Sequence, residues 1–242
     1  MKKLKKNVEA FNRDVVRNEG YLYTSNAPFS SVVANRRLTD ATVAMLGGNA
    51  GSVIDIGCGD GTYTNDLKQA VKKVRIAGTD PASKAVALAS KKYRDIKFFV
   101  SNILDKKTFT GKTGKYDTAV LRGVLHHLND QPLAIKNSLL LGGSLIIIEP
   151  NGNNPVLKLI EKYSKYHVEH EERSFSESQL RFFCVKAGAV VESLQYVGFV
   201  PFFCPEVLAK IIFFFQPLLE KIPVINTFLS AQIIIKCSGR KK

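Results

Sequence analysis

Few cysteines occur in the 242-residue chain, and their spacing builds no site: Cys58, Cys184, Cys204 and Cys237 are scattered. With no C-x-x-C pair and no histidine at zinc-ligand spacing, a zinc framework is excluded and a reducing compartment fits best. Acidic residues are also scarce, 21 against 35 basic ones, for a formal net charge of +14. The opening "MKKLKKNVEAFNRD" is basic, but no apolar stretch follows to complete a signal peptide. Internal repeats and low-complexity blocks are missing, so one core, with at most a small accessory element, accounts for the length. The expectation is a cytoplasmic globular protein. Lys2, Lys3, Lys5 and Lys6 near one end, and Lys236, Arg240, Lys241 and Lys242 near the other, hold part of the excess charge. Such clusters attract phosphates of nucleic acid or of an anionic membrane, or are simply solvated.

What is present organises itself around residue 50. Leu4, Val8, Phe11 and Val15 recur at helical spacing, and a second helical stretch runs up to "LGGNAG", making 1–50 an N-terminal helical cap. From residue 51 onward short β-branched runs alternate with charged helical stretches: "SVIDIG", "KVRIAGTD", "IKFFVSN", "YDTAVL" and "GSLIIIEP". That alternation predicts an α/β fold, a parallel sheet with helices on both faces. A charged lid or linker follows over 150–188. Two late strands, "AVVESLQYVGF" and "SAQIIIKCS", enclose an apolar insertion over 201–228 and predict an antiparallel edge.

In "VIDIGCGDGTYT" Gly57, Gly59 and Gly61 follow the first strand directly. A dinucleotide fingerprint would have glycine where Thr62 stands, so the loop gives a tight turn and close backbone approach without naming its ligand. Asp80 ends the second strand, where a carboxylate accepts from both hydroxyls of a ribose; its alternative is helix capping. Asn102 and Ile103 follow the third strand, placed to read adenine's amine and pack on its ring. Strand ends of an open α/β sheet converge on one crevice, so these positions can meet.

Together these stretches resemble the class I S-adenosylmethionine-dependent methyltransferases, in particular the small-molecule group. "VIDIGCGDG" matches the family's first motif, Asp80 its ribose acid, Asn102 its adenine position, "YDTAVLRGVLHHL" its fourth motif and "LLLGGSLIIIEP" its fifth strand. Asn102 departs from the acid common among relatives, giving up charge. The resemblance implies a Rossmann-like seven-stranded sheet of order 3-2-1-4-5-7-6 with strand 7 antiparallel. It implies S-adenosyl-L-methionine as cofactor, held by Asp55, Gly57, Cys58, Gly59, Gly61, Asp80, Pro81, Asn102, Ile103 and Arg122. Asp55 would meet the ligand's amino group or cap the turn. Tyr21, Tyr23, Asn35, Arg36 and Arg37 fall where relatives close over the cofactor, and an arginine there would meet its carboxylate.

Methyl transfer from a sulfonium needs alignment, and for an oxygen acceptor a base. His126 and His127, expected to start the helix after the fourth strand, are the candidates. His126 is favoured, with "HHL" as a packing signature the alternative. Glu149 is a further base or substrate anchor. Asp117, at the far end of the fourth strand, reads as structural. His167 and His170 in "HVEHEE" lack metalloprotease spacing, and no metal is expected.

The stretch "PEVLAKIIFFFQPLLEK" is apolar around most of its wheel, and Pro217 and the charges argue against a transmembrane span. A lid over the site, a dimer interface and a peripheral membrane contact remain open; the last would place the protein at the inner face of a membrane. The expected function is O-methylation of an apolar or lipid-linked small molecule. The alternatives are an RNA methyltransferase, weakened by the missing N/D-P-P-Y and Pro-Cys motifs, and a non-catalytic partner-binding protein of the same fold.

Overall fold

A computed structural model describes Glu9, Asn12 and residues 27–47, 51–71, 73–111, 114–163, 173–202 and 204–240. The β-branched runs form seven strands: β1 (Ser52–Ile56), β2 (Arg75–Asp80), β3 (Lys97–Val100), β4 (Tyr116–Arg122), β5 (Gly142–Pro150), β6 (Ala189–Val197) and β7 (Gln232–Gly239). They join in one sheet of order β3-β2-β1-β4-β5-β7-β6, as the resemblance implied. The first five strands pair in parallel, and β7 runs antiparallel to both β5 and β6. Among the described residues the helices are α1 (Phe29–Leu46), α2 (Thr62–Ala70), α3 (Ser83–Lys92), α4 (Gln131–Leu141), α5 (Pro155–Tyr163), α6 (Glu177–Lys186), α7 (Glu206–Leu219) and α8 (Pro223–Leu229).

Alternation along each strand divides the core between two faces. Ile54, Ile56, Ala119, Leu121, Leu145, Ile147, Ile233 and Ile235 pack one way, onto Ala134 and Ile135 of α4 and Leu180 of α6. Val53, Val120, Ile146, Ile148 and Ile234 pack the other way, onto Leu38, Ala41 and Met45 of α1 and Leu67 of α2. Each buried branched side chain contributes roughly 1.5–3 kcal/mol of transfer free energy, which is why the central strands read as near-continuous apolar runs.

The helices that begin or end at the C-terminal edge of the parallel strands frame the candidate site. β6 runs parallel to β5, so the insertion carrying α7 and α8 also springs from this edge. Its two roots are joined by a hydrogen bond of 2.6 Å from Ala231 N–H to the Gly198 carbonyl. At the opposite edge Asp117 accepts from the Ser52 hydroxyl at 2.7 Å, tying β4 to β1, the structural position the sequence indicated. The helix expected around Leu4–Val15, Tyr21, Tyr23, and His167 and His170 lie outside the described residues, apart from Glu9 and Asn12, which are helical.

Candidate functional site

The glycine loop uses backbone conformations that glycine takes without strain. Gly57, Gly59 and Gly61 take φ values of 82°, 54° and 78°, a region where L side chains are strained. A Cβ on Gly57 would stand 2.4 Å from Val124 Cγ2. Five of the loop's amides are bonded inside the protein. Gly57 and Cys58 N–H both donate to the Thr79 carbonyl, Gly59 N–H to Asp80 Oδ2, Gly61 N–H to the Cys58 carbonyl and Thr62 N–H to Asp60 Oδ1. A phosphate cradle needs those donors aimed at the ligand. In this loop the five amides named are engaged within the protein.

Asp80 sits at the end of β2 with its carboxylate buried. Oδ2 accepts from Gly59 N–H at 3.0 Å and Oδ1 from Ala82 N–H at 2.7 Å, leaving a second lone pair on each oxygen. Burial pushes its carboxyl up to about 6; the two amides oppose the shift and the neighbouring Asp55 adds to it. Capping of the two amides therefore leaves acceptor capacity on both oxygens. Pro81 follows on the rim, half-buried. The Cys58 thiol, buried and close to Asp80 and Asp55, is raised well above the usual thiol range and is inert packing.

Asn102 closes an Asx turn, its Oδ1 accepting from Leu104 N–H at 3.0 Å. The oxygen expected to read an adenine amine is thus already partly engaged. Ile103 is almost wholly in the core and its carbonyl accepts from Asn137 Nδ2 at 2.7 Å, so only an edge of its side chain faces the strand ends.

Asp55, near the end of β1, accepts from the Thr64 hydroxyl at 2.6 Å, a side-chain bond rather than capping of the turn's amides. Burial raises its carboxyl, against the Thr64 bond and the charge of Arg122. Arg122, at the end of β4, lies 3.6 Å over the Tyr63 ring, a cation–π contact, and donates to Asn35 Oδ1 at 2.9 Å. Tyr63 donates to the same oxygen. The arginines of α1 do not reach this point. Arg36 is exposed, and Arg37 makes a bidentate pair with Glu220 at 2.9 and 2.7 Å. Arg122, Tyr63 and Asn35 form the basic corner instead, and nothing in the spacing of "RGVL", "TYT" and "ANRR" signals their meeting.

The two histidines correct the expectation that they open a helix. Leu125–His127 is a 3₁₀ turn, and α4 starts only at Gln131, where Asp130 caps it through Leu133 N–H at 2.9 Å. On this tight turn the two rings lie side by side, centroids 4.0 Å apart. His126 is 6% exposed, and its Nδ1 is 2.6 Å from Glu149 Oε2. Glu149 is 0% exposed, and its Oε1 accepts from Val124 and Leu125 N–H at 2.9 and 2.7 Å. With all three groups turned to one carboxylate, Glu149 is sealed off from an acceptor and orients His126. A carboxylate oxygen accepts, so in this pair Nδ1 is the donor, and the contact sets the orientation of the ring.

Against this geometry the comparisons with known proteins are direct. The profile of a methyltransferase domain family matches residues 33–194, more than half of the chain. The chain belongs to this family, the class I methyltransferases. No curated protein sequence matches it. Its fold is similar to that of magnesium protoporphyrin IX methyltransferase from Synechocystis PCC 6803 with bound SAH. There the TM-score is 0.63 and the identity 18%, over 98% of this chain and 100% of that one. It is also similar to NcsB1, an O-methyltransferase from neocarzinostatin biosynthesis solved with S-adenosylmethionine and a naphthoic acid. That match has a TM-score of 0.59 and 15% identity, covering 88% of this chain and 57% of that one. The [4+2]-cyclase SpnF matches with a TM-score of 0.62 and 16% identity, over 88% of this chain and 83% of that one. At such identities the likeness is one of fold, and a cyclase among the neighbours puts the weight of function on the site.

Proposed function

We propose that the protein is an S-adenosylmethionine-dependent O-methyltransferase acting on an apolar or lipid-linked small molecule, in the cytoplasm at the inner face of a membrane. The observation that carries the cofactor is the glycine loop, whose Gly57, Cys58, Gly59, Gly61 and Thr62 amides are bonded within the protein beside a buried, doubly anchored Asp80. A nucleoside without phosphates fits this donor set; a dinucleotide does not. Asp80 would accept the ribose hydroxyls, Asn102 and the edge of Ile103 the adenine, and the backbone of Gly57–Gly59 the methionyl part. Asp55 would meet the amino group, with Arg122 the cation beside it.

Bound there, the cofactor supplies a methyl on a sulfonium that leaves as a neutral thioether, so no leaving-group proton is needed. The chain's own work is alignment, worth roughly 7–11 kcal/mol in the best cases, and handling one proton. His126 Nε2 takes the hydrogen from the acceptor's hydroxyl as the new C–O bond forms. Glu149 holds the ring in the tautomer that can do so and stabilises the imidazolium that results. General-base help of this kind is typically worth 10²–10⁴-fold. The apolar helices at the same edge of the sheet support an apolar acceptor.

Isothermal titration with S-adenosylmethionine tests the cofactor, and a radiolabelled methyl-transfer screen over hydrophobic alcohols and phenols tests the acceptor. Binding lost in Asp80→Ala, and labelled product lost in His126→Ala with binding kept, are the expected results. A folded wild-type protein that does not bind the cofactor overturns the proposal.

A further inference from the structure

The insertion does not behave like a core element. On α7, Ala209 and Gln216 are buried, while Val207, Ile211, Phe214 and Leu218, spaced four, three and four apart, form one stripe on the opposite side. Val207 and Phe214 are 74% and 77% exposed. α8 adds exposed Val224, Phe228 and Leu229, and α5, against which α8 packs, adds Val156, Leu159 and Tyr163. Exposed apolar area on this scale marks a contact surface.

The inward side of α7 is fastened to the body rather than free to fold over the crevice. Gln216 Oε1 accepts from Phe199 N–H at 3.0 Å, Arg37 clamps Glu220, and Phe213 meets Phe29 edge-on. The Ser30 and Ser31 hydroxyls both donate to the Phe202 carbonyl, holding the start of α1 to the start of the insertion. The apolar stripe is therefore a fixed outward feature.

Charge decides what covers it. Each acidic residue of α5, α7, α8 and the 220–222 link is paired: Glu161 with Lys158, Glu206 with Lys210 and Glu220 with Arg37. Lys162, beside the exposed Tyr163 ring at 5.4 Å, and exposed Lys221 remain as net positive charge. A second copy of this chain would bring another net charge of +14 against the first, whereas anionic headgroups would be attracted. Among the described residues no helix is long and apolar enough to cross a membrane.

We infer that the outward face of α7, continued by α8 and α5, docks onto an anionic phospholipid bilayer, the helices lying in the interface with their lysines at headgroup level. The docking extends the apolar-acceptor reading by giving the acceptor's source; the surface itself stands without it. The strand ends carrying Asp80, Arg122 and His126 would then open close to the bilayer.

Vesicles of phosphatidylcholine, alone or mixed in equal parts with phosphatidylglycerol, are sedimented with the full chain and with a Val207→Ser/Phe214→Ser/Leu218→Ser variant. Titration with S-adenosylmethionine is run on both proteins. Binding at least about tenfold tighter to the anionic vesicles is expected for the wild type, weakening with salt. The variant, altered only at exposed positions, should lose vesicle binding and keep cofactor binding. Equal sedimentation of both proteins overturns the docking face in favour of the basic termini. A wild type that binds cofactor but no vesicles also overturns it. So does a dimer, seen by ultracentrifugation, that the variant abolishes in place of vesicle binding. Loss of cofactor binding in the wild type, with vesicle binding intact, overturns the methyltransferase reading and leaves the docking standing.

Discussion

Glu149 Oε2 stands 2.6 Å from His126 Nδ1, in a place with no exposure at the carboxylate. The β4–β5 register, which sets Arg122 beside Ile148, brings the two residues together. The pair fixes both the position of the ring and which of its nitrogens holds the hydrogen.

Exchanging Glu149→Gln tests that assignment. The amide oxygen can keep the two backbone N–H bonds, but the amide nitrogen then donates to Nδ1, and the ring's hydrogen moves to Nε2. The ring is left unable to accept a proton from the acceptor. A fall in kcat of about 10²-fold, with cofactor affinity unchanged, is expected. Nitrogen NMR of the ring should show the tautomer reversed. An unchanged kcat would make His126 a packing residue.

With Asp80 holding the ribose as proposed, cofactor affinity is expected to depend on pH. Its carboxyl, raised to about 6 by burial, is protonated in the folded protein at pH 5 while an unfolded chain would hold it largely ionised. The neutral form therefore lends stability below about pH 4, and that contribution is lost as pH rises through about 6, a change of roughly 2–3 kcal/mol. Ligand binding runs the other way, because ribose hydroxyls donate to the ionised form. Titration calorimetry should show about tenfold weaker binding at pH 5 than at pH 8. Asp80→Asn should flatten both profiles.

Gly57→Ala meets two obstacles, a positive φ and the Val124 side chain. Strain alone costs roughly 1–2 kcal/mol, and the contact adds to it. Thermal unfolding should fall by several degrees in a single exchange. Pairing it with Val124→Ala should recover only the steric part, and full recovery would show that φ at this position is unimportant.

Asn102→Asp should strengthen cofactor binding several-fold. One carboxylate oxygen can keep the Asx turn to Leu104 while the other is wholly available to a donor, and a charged acceptor makes a hydrogen bond worth roughly 1 kcal/mol more than a neutral one. Asn102→Ala should weaken binding, and calorimetry on the two variants separates the ring-reading role from turn formation.

The sheet was legible because its central strands are buried on both faces and so leave uninterrupted runs such as "LIIIE" and "QIIIK". The places of Gly57 and Asp80 were legible because they follow from sequence position at strand ends. The Arg122–Tyr63–Asn35 corner and the Arg37–Glu220 clamp were not, since they join segments 28 to 183 residues apart. The side of α7 that faces inward was hidden for another reason. With apolar residues around most of the helix, hydrophobicity cannot choose a face. The choice is made by small Ala209 and by Gln216, a polar residue turned inward to meet the Phe199 amide. A 3₁₀ turn at Leu125–His127 was likewise concealed by helix-compatible residues; Asp130, in place to cap α4, was the overlooked stop sign.

The single hydrogen bond between Ala231 and Gly198 makes the 199–230 excursion a loop with adjoining ends. Changes of length confined to the outward side of that excursion would leave the pairing of β6 and β7 in place, whereas Gln216 and Glu220 also tie its inward side to the body. The sheet that carries the glycine loop and the excursion that carries α7 and α8 thus meet at two adjoining points of the chain.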